Sequence, residues 1–216
     1  TTQWLQQRLE ERGWEVWHQY YKGDNDEISP DPIVEALNEG ANIVAYRGWA
    51  DARGTHYPQF YKANLEQLDN GPLLPVFTFF VCNTGDFGNE IQNPCFGGYS
   101  TSQGSNRSPD GSLAFYGPSD LHTSTRFNNP NLGGYYTGFL YQNMRTLGAL
   151  ALRSKMEIWA GFPHQRESGG EENYVEFYFH VYNILGDPEL NLYLDPPSVL
   201  DVDYPADIAT GSTHIP

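Results

Sequence analysis

The stretch Leu74-Pro-Val-Phe-Thr-Phe-Phe-Val81 constrains the fold more than any other part of this chain. A strand with one face in water alternates apolar and polar side chains, whereas a strand covered on both faces reads as a continuous apolar run. Pro75 stands at the entry of this run and Asn83 just beyond it, so the segment is short enough for a strand and demands cover on both sides. The rest of the chain supplies that cover at the spacing of βαβ units. Residues 2–12 read as an amphipathic helix ending at Gly13, with Trp4, Leu5 and Leu9 on one stripe, and "WEVWHQYY" follows as a strand. Ser29-Pro-Asp-Pro opens a short helix with Pro32 in its first turn and Gly40 at its stop. "NIVAYRG" is the next strand, then come a loop, a helical turn around "NLEQLDNG", the apolar run itself and a further strand, "SLAFYGPS". This alternation predicts an α/β domain of three layers around a mostly parallel sheet.

Downstream, residues 97–111 are rich in Gly and Ser and read as a surface loop. Residues 135–161 read as one long helix, with Gly138 and Gly148 as weak points, and Gly186-Asp187-Pro188 as a turn leading into a last strand. The tail, residues 198–216, has strand-like alternation and reads as a linker or the beginning of an attached β-sandwich of immunoglobulin-like type, so the main domain is placed at 1–197.

The charge balance excludes some partners. With 12 Lys and Arg against 27 Asp and Glu, a net charge of −15 leaves no basic patch for phosphate, so nucleic acid is not expected. No apolar run approaches the roughly 20 residues of a membrane helix, and the opening "TTQWLQQRLEERG" is not a signal peptide. Few Lys and Arg with abundant Asp, Asn, Gly, Tyr and Trp suit an extracellular or cell-surface setting. Asp24, Asp26, Glu27 and Asp31 offer the oxygen ligands that calcium takes in groups of roughly six to eight. They lack the spacing of an EF-hand and read either as a solvated acidic turn or as a calcium site.

In parallel sheets, sites lie beyond the carboxyl ends of the strands. Three such ends carry chemistry here: Gly48-Trp49 with the loop to His56, Cys82 to Asp86, and Ser119 to His122. Cys82 sits where an apolar strand runs into a polar turn, the position of a nucleophile. A thiol titrates near ~8.5 and needs a base to act near neutral pH. His56 and His122 are the candidates for that base, while Asp86 and Asp120 either orient a histidine, meet a basic side chain or cap their own turns. Cys95 is the second cysteine, and a disulfide with Cys82 would remove the nucleophile altogether.

Taken in order, "NIVAYRGW", "LPVFTFFVCNTGDF…NPCF", "GSLAFYGPSD" and "YNILGDPELNLYL" resemble the gingipain-type cysteine peptidases, a family with a caspase-like fold, over about residues 14–197. The resemblance implies a Cys/His dyad in which a His-Gly pair closes one strand and the cysteine the next. It places Cys82 at the nucleophile, the amides of Ala50 and Cys82 at the oxyanion, and Asp86, Ser119, Asp120 and His122 around the pocket for the substrate residue before the cut. Where relatives carry His-Gly, this chain has Trp49-Ala50. An indole N–H only donates and cannot accept the thiol proton. Where relatives carry a helix near "CFGEA", this chain reads "CFGGYSTSQGS", so a loop is expected there. Two functions follow. One is a secreted cysteine endopeptidase that requires no cofactor, hydrolysing peptide or protein substrates through Cys82 with His56 or His122 as a displaced base. The other is an inactive pseudopeptidase, a structural or binding module that meets other surface proteins, with further domains in the same chain.

Overall fold

Why the apolar run is apolar is visible in the computed structural model, which describes residues 1–18, 29–105, 108–166 and 173–193. The elements in chain order are α1 (Thr2–Glu10), α2 (Asp31–Glu39), β1 (Ile43–Tyr46), β2 (Ala50–Asp51), β3 (Gly54–His56), β4 (Gln59–Tyr61), α3 (Lys62–Leu65), β5 (Val76–Phe79) and α4 (Phe96–Ser100). They continue with β6 (Gly104–Ser105), β7 (Ser108–Pro109), β8 (Ala114–Pro118), α5 (Thr125–Tyr141), α6 (Leu147–Gly161), a 3-10 turn (Pro163–Gln165), α7 (Tyr174–Val181) and β9 (Tyr182–Leu185). The main sheet has the order β1-β5-β8-β9, with β1, β5 and β8 parallel and β9 antiparallel at the edge. Every residue of β5 and of β8 is buried.

The two faces of β5 feed two cores. Val76 and Phe80 pack with Leu132, Tyr135, Leu150 and Tyr178 from α5, α6 and α7. Phe77, Phe79 and Val81 pack with Val34, Leu37, Leu65 and Phe96 from α2, α3 and α4. This is the expected three-layer α/β arrangement. The α5 side is crowded with tyrosines, whose hydroxyls need partners once buried. Tyr136 and Thr78 share a hydrogen bond of 2.7 Å, and Tyr116 and Ser154 one of 2.8 Å.

Four expectations are corrected. The long helix over 135–161 is two helices: Asn143 adopts φ 53, which α5 cannot continue through, and the Thr146 side chain caps the first turn of α6 by accepting from the Ala149 amide. The loop expected over 97–111 begins as a helix and then forms the β6–β7 hairpin. Glycine favours α4 here because a Cβ on Gly97 would lie 2.7 Å from the Phe115 ring, so only glycine lets the helix approach the sheet. The last strand of the sheet, β9, precedes the Gly186-Asp187-Pro188 turn, and among the described residues after the turn only Asn191 makes a bridge, to Thr146. The segment 50–61, read as a loop, is the small antiparallel sheet β2-β3-β4. Of the strand expected over "WEVWHQYY", residues 14–18 carry no strand assignment and the rest lies outside the described residues, as does the tail 198–216.

Candidate active site

The parallel pairing of β1 with β5 brings two chain segments to one rim. Tyr46 pairs with Phe79, and the Phe80 amide donates to the Tyr46 carbonyl at 3.0 Å, so both segments leave the sheet side by side. Side chains alternate between the two cores along β1: Ile43 and Ala45 face the α5 side, Val44 and Tyr46 the α2 side. Arg47 is next on the α5 side, and its Nε donates to Asn129 Oδ1 at 3.0 Å. Burial lowers the guanidinium's affinity for its proton, while Tyr182, Tyr178 and the Cys82 thiol push it back up, which places Cys82 in the electrostatic reach of Arg47.

The Cys82 turn is held from three directions. Thr123 and Asn128 both donate to the Val81 carbonyl, the Gly85 amide donates to Pro118 at the end of β8 (2.8 Å), and the Gly97 amide of α4 donates to Thr84 (2.8 Å). The glycine-rich helix therefore supports the turn whose support the sequence had put in question. Cys82 and Cys95 are both free thiols, Cys82 half-buried and Cys95 buried, so no disulfide joins them. Burial raises the Cys95 thiol above its ordinary value. Beside Cys82, Asn83 Oδ1 and Thr84 Oγ1 are buried without a hydrogen-bond partner among the described residues. Such unsatisfied atoms are rare in cores and call for a functional account.

Trp49 occupies the end of β1's extension with 73% of its surface exposed. Its carbonyl is pinned by the Tyr46 hydroxyl (2.9 Å) and the His56 amide (2.8 Å). That second bond makes 49/56 a hydrogen-bonded pair of the β2–β3 ladder. In antiparallel pairing the next pair, Ala50/Thr55, is then non-hydrogen-bonded, which turns the Ala50 N–H away from β3. His56 itself stands on the face of this hairpin that carries Asp51 and Tyr61. Its Nδ1 meets the Tyr61 hydroxyl at 2.8 Å and its Nε2 lies 3.3 Å from Asp51 Oδ2. Burial pushes the Asp51 carboxyl up, but the bonds from Arg53 outweigh this and hold it below its usual range. Both ring nitrogens of His56 are thus engaged within the hairpin.

The other expected site residues make local bonds. His122 is exposed and its Nδ1 lies 2.9 Å from Asp120 Oδ1, which also accepts the His122 amide. Asp86 accepts from Asn89 (2.8 Å) and Asn83 (3.3 Å) within its own turn. The Ser119 hydroxyl donates to the Val181 carbonyl at 3.1 Å, closing the end of β8 against α7 and β9. His180 is exposed on α7, 3.8 Å from Glu176. Asp24, Asp26 and Glu27 lie outside the described residues, Asp31 begins α2, and no group of acidic, His or Cys side chains among the described residues could hold a metal ion. Arg47 is the residue that sequence reading missed. A lone cation closing an apolar strand in so acidic a chain was the available signal.

The family model for peptidase family C25 matches residues 3–193. The chain belongs to that family. Among solved structures, the Arg-specific cysteine proteinase gingipain R (RgpB) matches with a TM-score of 0.70 at 20% identity, over 85% of this chain and 41% of that one. The complex of Porphyromonas gingivalis RgpB pro- and mature domains matches with a TM-score of 0.68 at 20% identity, over 85% and 42%. A structure described as a protease matches at 0.64 and 17% identity, over 81% and 40%. No curated protein matches the chain in sequence. These likenesses establish the caspase-like gingipain fold, and the chain spans about two-fifths of the length of the solved chains it matches. Among the described residues no helix is long and apolar enough to cross a membrane.

Proposed function

We propose that this C25 domain is a peptide-binding pseudopeptidase, a module that keeps the thiol and the rim of the fold but not the base needed for hydrolysis. The observation that carries the reading is Trp49. It stands at the strand end beside that of Cys82, it is exposed, and its indole cannot take a proton. His56 supports the same conclusion, since its two ring nitrogens are occupied by Asp51 and Tyr61. The exposed indole gives the rim a flat apolar surface of the kind that holds extended peptides. The low Lys and Arg content supports an extracellular or cell-surface setting.

A second reading, a working endopeptidase, has one observation in its favour. Asp51 and His56 form the acid–imidazole couple that orients a general base, and the Ala50 N–H is turned out of the hairpin. The two are separated by incubating the chain with a reduced, unfolded protein substrate and following peptide release by mass spectrometry, with Cys82→Ala as control. The pseudopeptidase reading expects no release above the control. Turnover that depends on Cys82 would refute it and establish the endopeptidase.

A further inference from the structure

In a chain with net charge −15, the residue that follows β1 on the α5 side, within electrostatic reach of Cys82, carries a guanidinium and not a carboxylate. Arg8, Arg53 and Arg153 each pair with a carboxylate, from Glu11, Asp51 and Glu157 respectively. Arg47 does not. Its hydrogen bonds go to Asn129 Oδ1 and, at 3.4 Å, to the Gly48 carbonyl, both neutral. The hydroxyls of Tyr178 and Tyr182, which share its electrostatic neighbourhood, are committed to Asn128. A cation partly withdrawn from water without a counter-charge is costly to keep, and the planar fork of its remaining donors matches a carboxylate. The same residue lines a cavity of about 1220 Å³ together with Trp49, Tyr57, Tyr46 and Gly48, so Arg47 borders open space as well as the core.

We infer that Arg47 takes a carboxylate of a bound peptide at the rim beside Cys82, either an Asp or Glu side chain or a free carboxyl terminus. The inference rests on the reading of this rim as a peptide site and assigns its ligand class. The acidic surface does not oppose it: repulsion from exposed charges is screened beyond about 10 Å at ordinary salt, whereas the Arg47 contact is short-range.

Three probes decide the matter by calorimetry on the wild-type chain: acetyl-Ala-Ala-Asp-Ala-amide, its Asn counterpart with the same amide end, and the Asn peptide with a free carboxyl terminus. At least one carboxylate probe is expected to bind about tenfold or more tightly than the neutral one, the usual scale of a charge-assisted hydrogen bond. The tighter of the two identifies side chain or terminus as the source. Arg47→Gln is expected to close the gap. Because that variant removes a clamp to α5 and its folding must be checked by thermal melting, a second readout uses the wild type alone: the Arg47 Nε–Hε resonance should move with the carboxylate probe and stay with the neutral one. Equal binding of all three, a gap that survives Arg47→Gln, or a stationary resonance overturns the carboxylate assignment while leaving the peptide rim intact. Absence of binding by all three overturns both. Turnover of the probes would refute the pseudopeptidase reading alone, and the preference would then be read from kcat/KM.

Discussion

Asn128 is where the Cys82 turn is fastened to the helical layer, and removing it has a cost that can be worked from its bonds. The residue is 2% exposed. Its Oδ1 accepts from the hydroxyls of Tyr178 (2.8 Å) and Tyr182 (2.7 Å), and its Nδ2 donates to the Val81 carbonyl at 3.5 Å. Asn128→Ala leaves Tyr178 with the Ser124 carbonyl but takes the bond from the Tyr182 hydroxyl, which is buried. A stranded buried hydroxyl costs about 1–3 kcal/mol and the lost bond to Tyr178 about 1 more, for a total of about 2–4 kcal/mol. At about 2–4 °C per kcal/mol for a chain of this size, Tm should fall by roughly 5–15 °C. The assay is denaturant and thermal unfolding of wild type, Asn128→Ala, Tyr182→Phe and the double variant. In the Tyr182→Phe background there is no hydroxyl to strand, so Asn128→Ala should cost about 1–3 kcal/mol less there. Strict additivity, or a loss below about 0.5 kcal/mol for Asn128→Ala, would refute the reasoning.

Tyr135 is fully buried with a hydroxyl that has no partner among the described residues, so Tyr135→Phe should raise stability by about 1 kcal/mol in a urea melt. Iodoacetamide with peptide mapping should label half-buried Cys82 in the folded chain and leave Cys95 unlabelled, because Cys95 is buried and burial raises its thiol; labelling at Cys95 first would contradict the packing of α4. Burial pushes Tyr46 up to about 12 from 10.0. The unfolded chain therefore releases this proton near pH 10 while the fold holds it, so the stabilisation is complete below that pH and is lost as pH rises towards about 12. Ultraviolet titration should show Tyr46 ionising after the exposed tyrosines, and denaturant melts should weaken between about pH 10 and pH 12.

The layers were legible because β5 and β8 have no polar face to hide: a strand of Val, Phe, Thr and Phe can only be central. The start of α2 was legible from Pro32 and its stop from Gly40, since each acts through its own backbone. The gap between α5 and α6 was not. "QNMRT" continues a helical pattern in apolar spacing, and only the left-handed Asn143 and the capping Thr146 give the break away. Helix α4 was hidden for the opposite reason: its glycines disfavour a helix locally, and tertiary packing against Phe115 overrides that preference. At the site, Cys82 and Trp49 were readable as strand ends. The partners of His56 were not, because Asp51 and Tyr61 meet it only through the pairing of β2, β3 and β4.

The central claim is that Trp49 holds the place of the missing base next to Cys82, and Trp49→His tests it most directly. The measurement is the rate of Cys82 alkylation by iodoacetamide near neutral pH, in wild type and variant. An imidazole set beside the thiol should raise that rate by about tenfold or more, since a paired thiolate forms well below the ordinary thiol range. An unchanged rate in a folded variant would mean that residues 49 and 82 do not share a rim, and the account would be wrong.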